Sequence, residues 1–265
     1  MGLIKGMVNE FPDLAGARVH EEWRKLLLKA ERPSVGLEFL RESGWLQHFP
    51  ELGDLVGCEQ NKEWHPEGDV WTHSLMTVDA AAQLRSTVPE NQREGFMLGA
   101  LLHDIGKAPT TITQSMIDSG DNAWVARRVE KTGNQPQELL LTAHEHDKIG
   151  GEMVKGFLNR FTESKKLIKL TTAIVTEHMQ PYALYQGNAR KSRFELLHNR
   201  MHEAGGDFEL IAKQCMCDCC ASALPEEGRG FTADARTNWE DEISSKMYDL
   251  IDQGVGVEKI ADIIM

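Results

Sequence analysis

The sequence predicts an all-α protein. Apolar residues recur at three- and four-residue spacing along most of the chain, which is the period of an α-helix with one buried face. Gly and Pro stand between these periodic segments, and no internal repeat or low-complexity tract interrupts the series. We therefore expect a helical bundle that is preceded by a helical extension.

The extension begins with a predicted helix over residues 18–30, where Trp23, Leu26 and Leu27 share one face. A second helix should start at Ser34, a favourable N-cap, and should end at about residue 42. Residues 50–68 are rich in Gly and Pro and have little periodicity. They predict a long ordered connection.

Two helices follow in the centre of the chain. Asp69 is a suitable N-cap for a helix that reaches to about residue 86, with His73 among its inward candidates. The next helix should cover residues 90–104, and Gly106 is a candidate for its C-terminal stop. Both helices carry histidines.

Residues 108–138 are predicted to form a polar insertion. A Gly-Asp-Asn sequence at 120–122 separates two β-permissive runs, so we expect a small β-hairpin or flap there. Helical periodicity returns beyond the insertion, over residues 148–161, 163–178, 191–202, 208–223 and 238–253.

The composition and length are typical of a soluble globular protein. The 265 residues include 41% hydrophobic and 26% charged residues, which is typical of globular proteins. No run approaches the ~20 apolar residues that span a bilayer, and residues 1–10 lack the pattern of a signal peptide. We expect a cytoplasmic protein with no membrane partner.

The net charge of −12 argues against a protein that binds long nucleic acids through many phosphates. Basic residues are nevertheless grouped at two places, where the simpler interpretation is a solvated helix face. These residues are Lys165, Lys166, Lys169, Arg190, Lys191, Arg193 and Arg200.

Four of the five cysteines lie between Cys215 and Cys220. Their C-x-C-x-C-C spacing differs from the C-x-x-C pairs of structural zinc sites, and an odd number of cysteines is not typical of a secreted disulfide framework. We interpret them as small buried residues of a helix in a reducing compartment, and a thiolate metal cluster is the alternative.

The residues that indicate chemistry are histidines and aspartates on separate predicted elements. Imidazole nitrogens and carboxylate oxygens together suit manganese, iron, cobalt, nickel or zinc, and magnesium less naturally. Consecutive helical residues point about 100° apart, so the adjacent pair His103 and Asp104 would usually face different neighbours. At a helix C-terminus, however, both residues can approach one ion. The full set is His73, His103, Asp104, His146, His178 and Asp218.

The run from Leu98 to Lys107, with His103-Asp104 inside it, resembles the core of the HD phosphohydrolase superfamily. That family's pattern is a first His, a central His-Asp and a final Asp, which His73, His103, Asp104 and Asp218 match. The resemblance implies that these four residues hold a divalent metal ion. It also implies that His146 and His178 add a second ion, with Asp104 as a bridge.

A more specific string, Trp64-His-Pro-Glu-Gly-Asp-Val-Trp-Thr-His73, is similar to the HD domain fused to bacterial CCA-adding tRNA nucleotidyltransferases. The similarity covers roughly residues 18–231. It implies 2′,3′-cyclic phosphodiesterase, 2′-nucleotidase or phosphatase activity on nucleotides or RNA-end phosphates. The nucleotidyltransferase motifs are absent, so we expect no CCA addition and at most weak binding of intact tRNA.

Within this interpretation the domains are an N-terminal helical extension (1–60), an HD phosphohydrolase domain (61–232) and C-terminal helices that pack on it (233–265). Asp104 and Lys107 are the expected catalytic residues, with Lys107, Lys148 and Arg229 as phosphate contacts. A charge that complements the helix end is the alternative for Lys107, and a surface role is the alternative for Lys148 and Arg229. A bound ion would lower the pKa of its water and offset phosphoryl charge. The alternative is a noncatalytic RNA- or partner-binding module in which metal only stabilises the fold.

Overall fold

All regular elements in the computed structural model are helices within residues 15–186 and 190–223, the part of the chain that the structure describes. The all-α prediction is confirmed there. Along these residues, no helix is both long and apolar enough to cross a membrane.

The extension consists of α1 (Gly16–Lys29), α2 (Pro33–Ser43) and a single turn α3 (Pro50–Gly53). Trp23 of α1 is buried and meets Phe49 and Phe157 edge-on, with ring centroids 5.0 and 6.0 Å apart. Burial of such aromatic pairs fixes the extension against the bundle. Gly44 ends α2 in the left-handed region, at φ 86°, which a residue without a Cβ adopts readily.

The central pair is α4 (Val70–Leu84) and α5 (Glu90–Leu102), and most residues of both helices are buried. Asp69 caps α4 by accepting a hydrogen bond from the Thr72 amide at 2.9 Å. Helix α5 ends two residues before the predicted boundary. His103 and Asp104 therefore follow the helix.

The predicted β-hairpin at 108–138 is wrong. The segment forms α6 (Lys107–Thr110), α7 (Gln114–Asp118), α8 (Ala123–Thr132) and a 3-10 turn, Pro136–Leu139. The cause is Asn122, whose side-chain oxygen accepts the amides of Trp124 and Val125 and so starts a helix where a hairpin turn was expected. Buried Ile112, Val125 and Leu139 give the insertion a small apolar cluster of its own.

The remaining described helices are α9 (His146–Asn159), α10 (Lys165–Glu177), α11 (Gln180–Gln186), α12 (Lys191–Glu203) and α13 (Phe208–Ala223). Helix α13 packs on α4, and α10 packs on α5 and α9. Lys165, Lys166 and Lys169 are exposed on α10, as a solvated face requires. The predicted helix at 238–253 and the unit at 233–265 lie outside the described residues.

Gly106 is not the predicted helix stop. It lies in the right-handed region and has a packing role, since a Cβ there would come within 2.0 Å of the His146 carbonyl oxygen. This close approach brings the start of α9 against the segment that follows His103-Asp104. The two halves of the candidate site meet at this contact.

Candidate metal centre

Helix ends position most of the histidines and aspartates singled out above. His103 and Asp104 directly follow α5, His178 directly follows α10, and His146 is the first residue of α9. His73 lies in the first turns of α4, and α13 brings Asp218 to it. The structure thus gathers six residues from five elements.

Three of these residues form a first cluster. The Nε2 atom of His73 lies 3.1 Å from His103 Nε2 and 2.8 Å from Asp218 Oδ1, and His103 Nε2 lies 3.6 Å from the same carboxylate oxygen. A coordination shell with bonds of about 2.1 Å places neighbouring donor atoms about 3.0–3.4 Å apart. The spacing in the cluster fits one ion.

A second cluster has the same dimensions. Asp104 Oδ1 lies 3.3 Å from His146 Nε2 and 3.8 Å from His178 Nε2, and the two imidazole nitrogens are 3.3 Å apart. The other oxygen of Asp104, Oδ2, lies 3.2 Å from His103 Nε2 in the first cluster. Asp104 therefore presents one oxygen to each cluster, which is the geometry of a bridging carboxylate.

Hydrogen bonds on the opposite ring nitrogens fix the orientation of the imidazoles. The Nδ1 atoms of His103, His146 and His178 donate to the carbonyl oxygens three residues earlier, at 3.0, 2.7 and 2.7 Å. A carbonyl oxygen only accepts, so Nδ1 carries a proton in all three rings, and Nε2 is the nitrogen that faces a metal. For His103 and His178 the acceptor is one of the carbonyls that a helix end leaves unpaired.

His73 is oriented by a carboxylate instead. Its Nδ1 lies 2.6 Å from Glu67 Oε1, and the same oxygen lies 2.8 Å from His65 Nδ1. The Glu67 side chain is buried. Both histidines hold the pKa of Glu67 at about 2, although burial opposes this by favouring the neutral acid. Glu67 is therefore an anion that orients His73 from behind.

The charges differ between the two clusters. Burial works to lower the pKa of His103, but the carboxylates of Asp104 and Asp218 outweigh it and raise the value to about 10. In the second cluster burial dominates, and with the neighbouring His146 and His103 it lowers the pKa of His178 to about 4. The metal-free first cluster thus holds protons, whereas the second holds neutral imidazoles.

The donor set fits a divalent transition metal. Four imidazole nitrogens and two carboxylates converge in a largely buried site, and ligands of this type favour manganese, iron, cobalt, nickel or zinc over magnesium. Ionised Asp104 and Asp218, whose pKa values lie well below the usual range despite burial, supply the negative charge that a cation needs.

Of the expected phosphate contacts, the structure places Lys107 at the site and Lys148 outside both clusters. The Lys107 ammonium lies 2.8 Å from Asp104 Oδ2 and donates to Gln60 Oε1 at 2.7 Å, so it stands at the edge of the site. Lys148 is exposed on the first turn of α9, and it belongs to neither cluster. Arg229 lies outside the described residues. Sequence spacing does not identify Gln60 as a site residue, and it points to Glu67 only as part of the string that ends at His73.

Comparison with known proteins agrees with this site. An HD domain model matches residues 70–194, and a model described as a probable RNA and SrmB-binding site of polymerase A matches residues 2–55. All the cluster residues except Asp218 fall inside the HD match.

Similar proteins include the multifunctional CCA protein of Teredinibacter turnerae, 28% identical over 72% of this chain and 39% of that protein. The protein of the same name from Neisseria meningitidis is 31% identical over 67% of this chain and 36% of its own length. That of a Janthinobacterium species is 34% identical over 56% and 36%. The chain thus spans little more than a third of the length of these relatives. Together with the His-Asp geometry, the matches show that the chain contains an HD domain, over residues 70–194, and that it is similar to multifunctional CCA proteins.

Proposed function

We propose that the chain is a metal-dependent phosphohydrolase that acts on nucleotides or RNA-end phosphates. The observation that carries the proposal is the position of Asp104, with one oxygen in each histidine cluster and Lys107 beside it. A divalent metal in such a site supplies Lewis acidity, which makes a water molecule a better nucleophile and offsets phosphoryl charge.

The chain's own residues define the remaining roles. Lys107 already pairs with an anionic oxygen of Asp104, and its ammonium offers the same interaction to a phosphoryl oxygen of the substrate. Asp104 remains ionised, because Lys107 and His103 hold its pKa well below the usual range against the effect of burial. It is thus suited to bind metal and to orient a nucleophilic water.

The finer substrate proposal is a 2′,3′-cyclic phosphodiester, a 2′-nucleotide or another terminal phosphate. Its support is the string from Trp64 to His73 and the relation to multifunctional CCA proteins.

The test strips the protein of metal, reloads it separately with several divalent ions and screens phosphoesters with each form. Asp104→Ala should lose metal-dependent phosphate release while remaining folded, and Asp121→Ala, at an exposed aspartate, is the matched control. Full activity of Asp104→Ala with unchanged metal content would contradict the proposal.

A noncatalytic RNA-binding module is the second candidate, and the match of residues 2–55 to an RNA-binding model favours it. The charge of −12 argues for weak, salt-sensitive binding of intact tRNA instead. A binding titration distinguishes the two. Tight binding that persists at high salt, in a protein that hydrolyses no phosphoester, would favour the binding module.

A further inference from the structure

The Lys107 ammonium is surrounded by three hydrogen-bond acceptors at the edge of the candidate metal centre. Only 12% of its side chain is exposed, although lysine side chains normally stay in water. The ammonium lies 2.8 Å from Asp104 Oδ2, donates to Gln60 Oε1 at 2.7 Å and lies 3.4 Å from His65 Nε2. Since an ammonium has three N–H groups, the three acceptors match them in number. Neighbouring side chains rather than solvent therefore fix its direction.

Gln60 is held at both ends of its amide group. The residue is buried, and its Nε2 donates to the Gly68 carbonyl at 3.4 Å, which leaves Oε1 to face the ammonium. A backbone hydrogen bond of 3.0 Å from the Val70 amide to the Cys58 carbonyl closes the loop that contains Gln60. The Gln60 oxygen is therefore fixed relative to the start of α4.

His65 faces Lys107 with a lone pair. An ammonium group only donates, so His65 Nε2 is the acceptor in this contact and Nδ1 carries the proton. That Nδ1 donates to Glu67 Oε1 at 2.8 Å, and the same oxygen lies 2.6 Å from His73 Nδ1. Glu67 therefore orients His65 towards the ammonium on one side and His73 of the first cluster on the other.

The three acceptors of the ammonium are not equivalent. Gln60 and His65 come from the loop between α3 and α4, whereas Asp104 has an oxygen in each cluster. The two loop acceptors occupy two N–H groups of Lys107, so the third is directed at Asp104 and the metal centre. A phosphoryl oxygen in the centre would meet this third N–H group, and a charge-assisted hydrogen bond of that kind depends on direction.

We propose that Gln60 and His65 are positioning residues, which direct one N–H group of Lys107 into the metal centre so that it binds a phosphoryl oxygen there. This role rests on the proposed phosphohydrolase function, which places the substrate phosphate at Lys107. When either acceptor is removed, the ammonium rotates more freely about its remaining contacts, and its hydrogen bond to the phosphate is weakened.

A double-mutant cycle with Lys107 tests this role, with inorganic phosphate as the probe and calorimetry of the metal-loaded protein as the measurement. Gln60→Leu should raise the Kd for phosphate about tenfold, as expected for the loss of a hydrogen bond to a charged group. His65→Leu should raise it by a smaller factor, because its contact with the ammonium is longer. His65→Gln, whose amide oxygen can replace Nε2 as the acceptor, should recover part of that loss. In a Lys107→Met background, neither leucine substitution should change the Kd.

Controls separate positioning from a general effect on the fold. His202→Leu, at an exposed histidine on α12, is the matched control and should leave the Kd unchanged. Urea unfolding and metal content are measured for every variant, and if Gln60→Leu does not fold, the His65 variants complete the cycle alone.

Each remaining outcome is decisive. Equal increases in Kd with and without Lys107 would show that the loop residues act on the fold or the metal, and would overturn the proposed positioning role. An unchanged or lower Kd in the single variants, or a parent that binds no phosphate, would overturn it too. A parent that shows the expected coupling but hydrolyses no phosphoester would keep the positioning role and refute the proposed function.

Discussion

Glu145 lies between the 108–138 insertion and His146, a proposed metal ligand. Replacing Glu145 by Gln tests how the second cluster is built. Its carboxylate lies 2.7 Å from Arg128 Nη2 and 2.8 Å from Lys131 Nζ. Arg128 is buried, with its guanidinium 4.5 Å from the ring centroid of Trp124. The Glu145 backbone is left-handed, at φ 64°, and the next residue is His146.

The magnitude follows from the burial of Arg128. Removing one partner of a buried ion pair costs about 3–5 kcal/mol, because the other charge is left without compensation. The Glu145 side chain is 24% exposed, so water offsets part of this loss. We expect Glu145→Gln to lower the free energy of unfolding by about 2–3 kcal/mol, below the range for a fully buried pair.

Two variants act as references. Lys131→Met removes the exposed partner, whose side chain is 57% accessible, and should cost about 0–1 kcal/mol. Arg128→Met removes the buried cation itself and leaves Glu145 paired with Lys131, so it should cost less than Glu145→Gln. Urea unfolding of the metal-free proteins measures all three.

The same variants report on metal binding. If the ion pair fixes the turn before α9, Glu145→Gln should weaken the second metal equivalent while the first is kept, and Lys131→Met should keep both. Metal analysis after reconstitution measures this. Equal unfolding free energies for Glu145→Gln and Lys131→Met, together with equal metal contents, would refute the reasoning.

Three further predictions concern the two clusters. The parent should take up about two metal equivalents after saturating reconstitution, and the double variant His146→Ala, His178→Ala only one; a parent that holds one ion with every metal tried would contradict this. Glu67→Gln should weaken the first ion by about tenfold to a hundredfold in chelator competition, whereas unchanged affinity would reduce Glu67 to a packing role. The pKa of His103 is raised from 6.5 to about 10 in the metal-free fold, so its proton stabilises that fold below pH 6.5 and the benefit is lost as the pH rises towards 10. Binding of the first ion should therefore release protons at pH 7. Calorimetry in buffers of different ionisation enthalpy measures this release, and finding no released proton would show that the assignment is wrong.

Sequence patterns were sufficient for the longer helices outside the 108–138 insertion and for the identity of the clustered histidines and aspartates. The helical period identified the central helices to within two residues, and the family resemblance supplied the chain order of the residues that the fold brings together. Sequence patterns failed where a short polar segment could form either of two local structures. At 120–122 the Gly-Asp-Asn sequence suits a hairpin turn, but Asn122 instead caps a helix, because Val125 can then pack on Ile112 and Leu139.

The supporting residues were beyond sequence reasoning for a different reason. Glu145, Gln60 and Arg128 are ordinary polar residues by type and spacing, and their roles depend on contacts across 14 to 47 positions of the chain. The sequence predicts Gly106 as a helix stop, and this prediction is wrong, because the residue's role is to let the His146 carbonyl approach rather than to adopt special backbone angles. Such roles become visible only when tertiary neighbours are known.

The placement of the clustered residues at helix ends explains how one dipeptide can serve both clusters. Inside a helix, His103 and Asp104 would diverge by about 100°. Because α5 ends at Leu102, His103 uses the free Ala100 carbonyl to fix its ring, and the next residue is available to reach the second cluster. The same arrangement recurs at the end of α10, where the Val175 carbonyl accepts a hydrogen bond from His178 and orients its ring towards Asp104 Oδ1. Two helix ends thus converge on one carboxylate, and a variant that extends α5 through Asp104 should separate the clusters even if every ligand is retained.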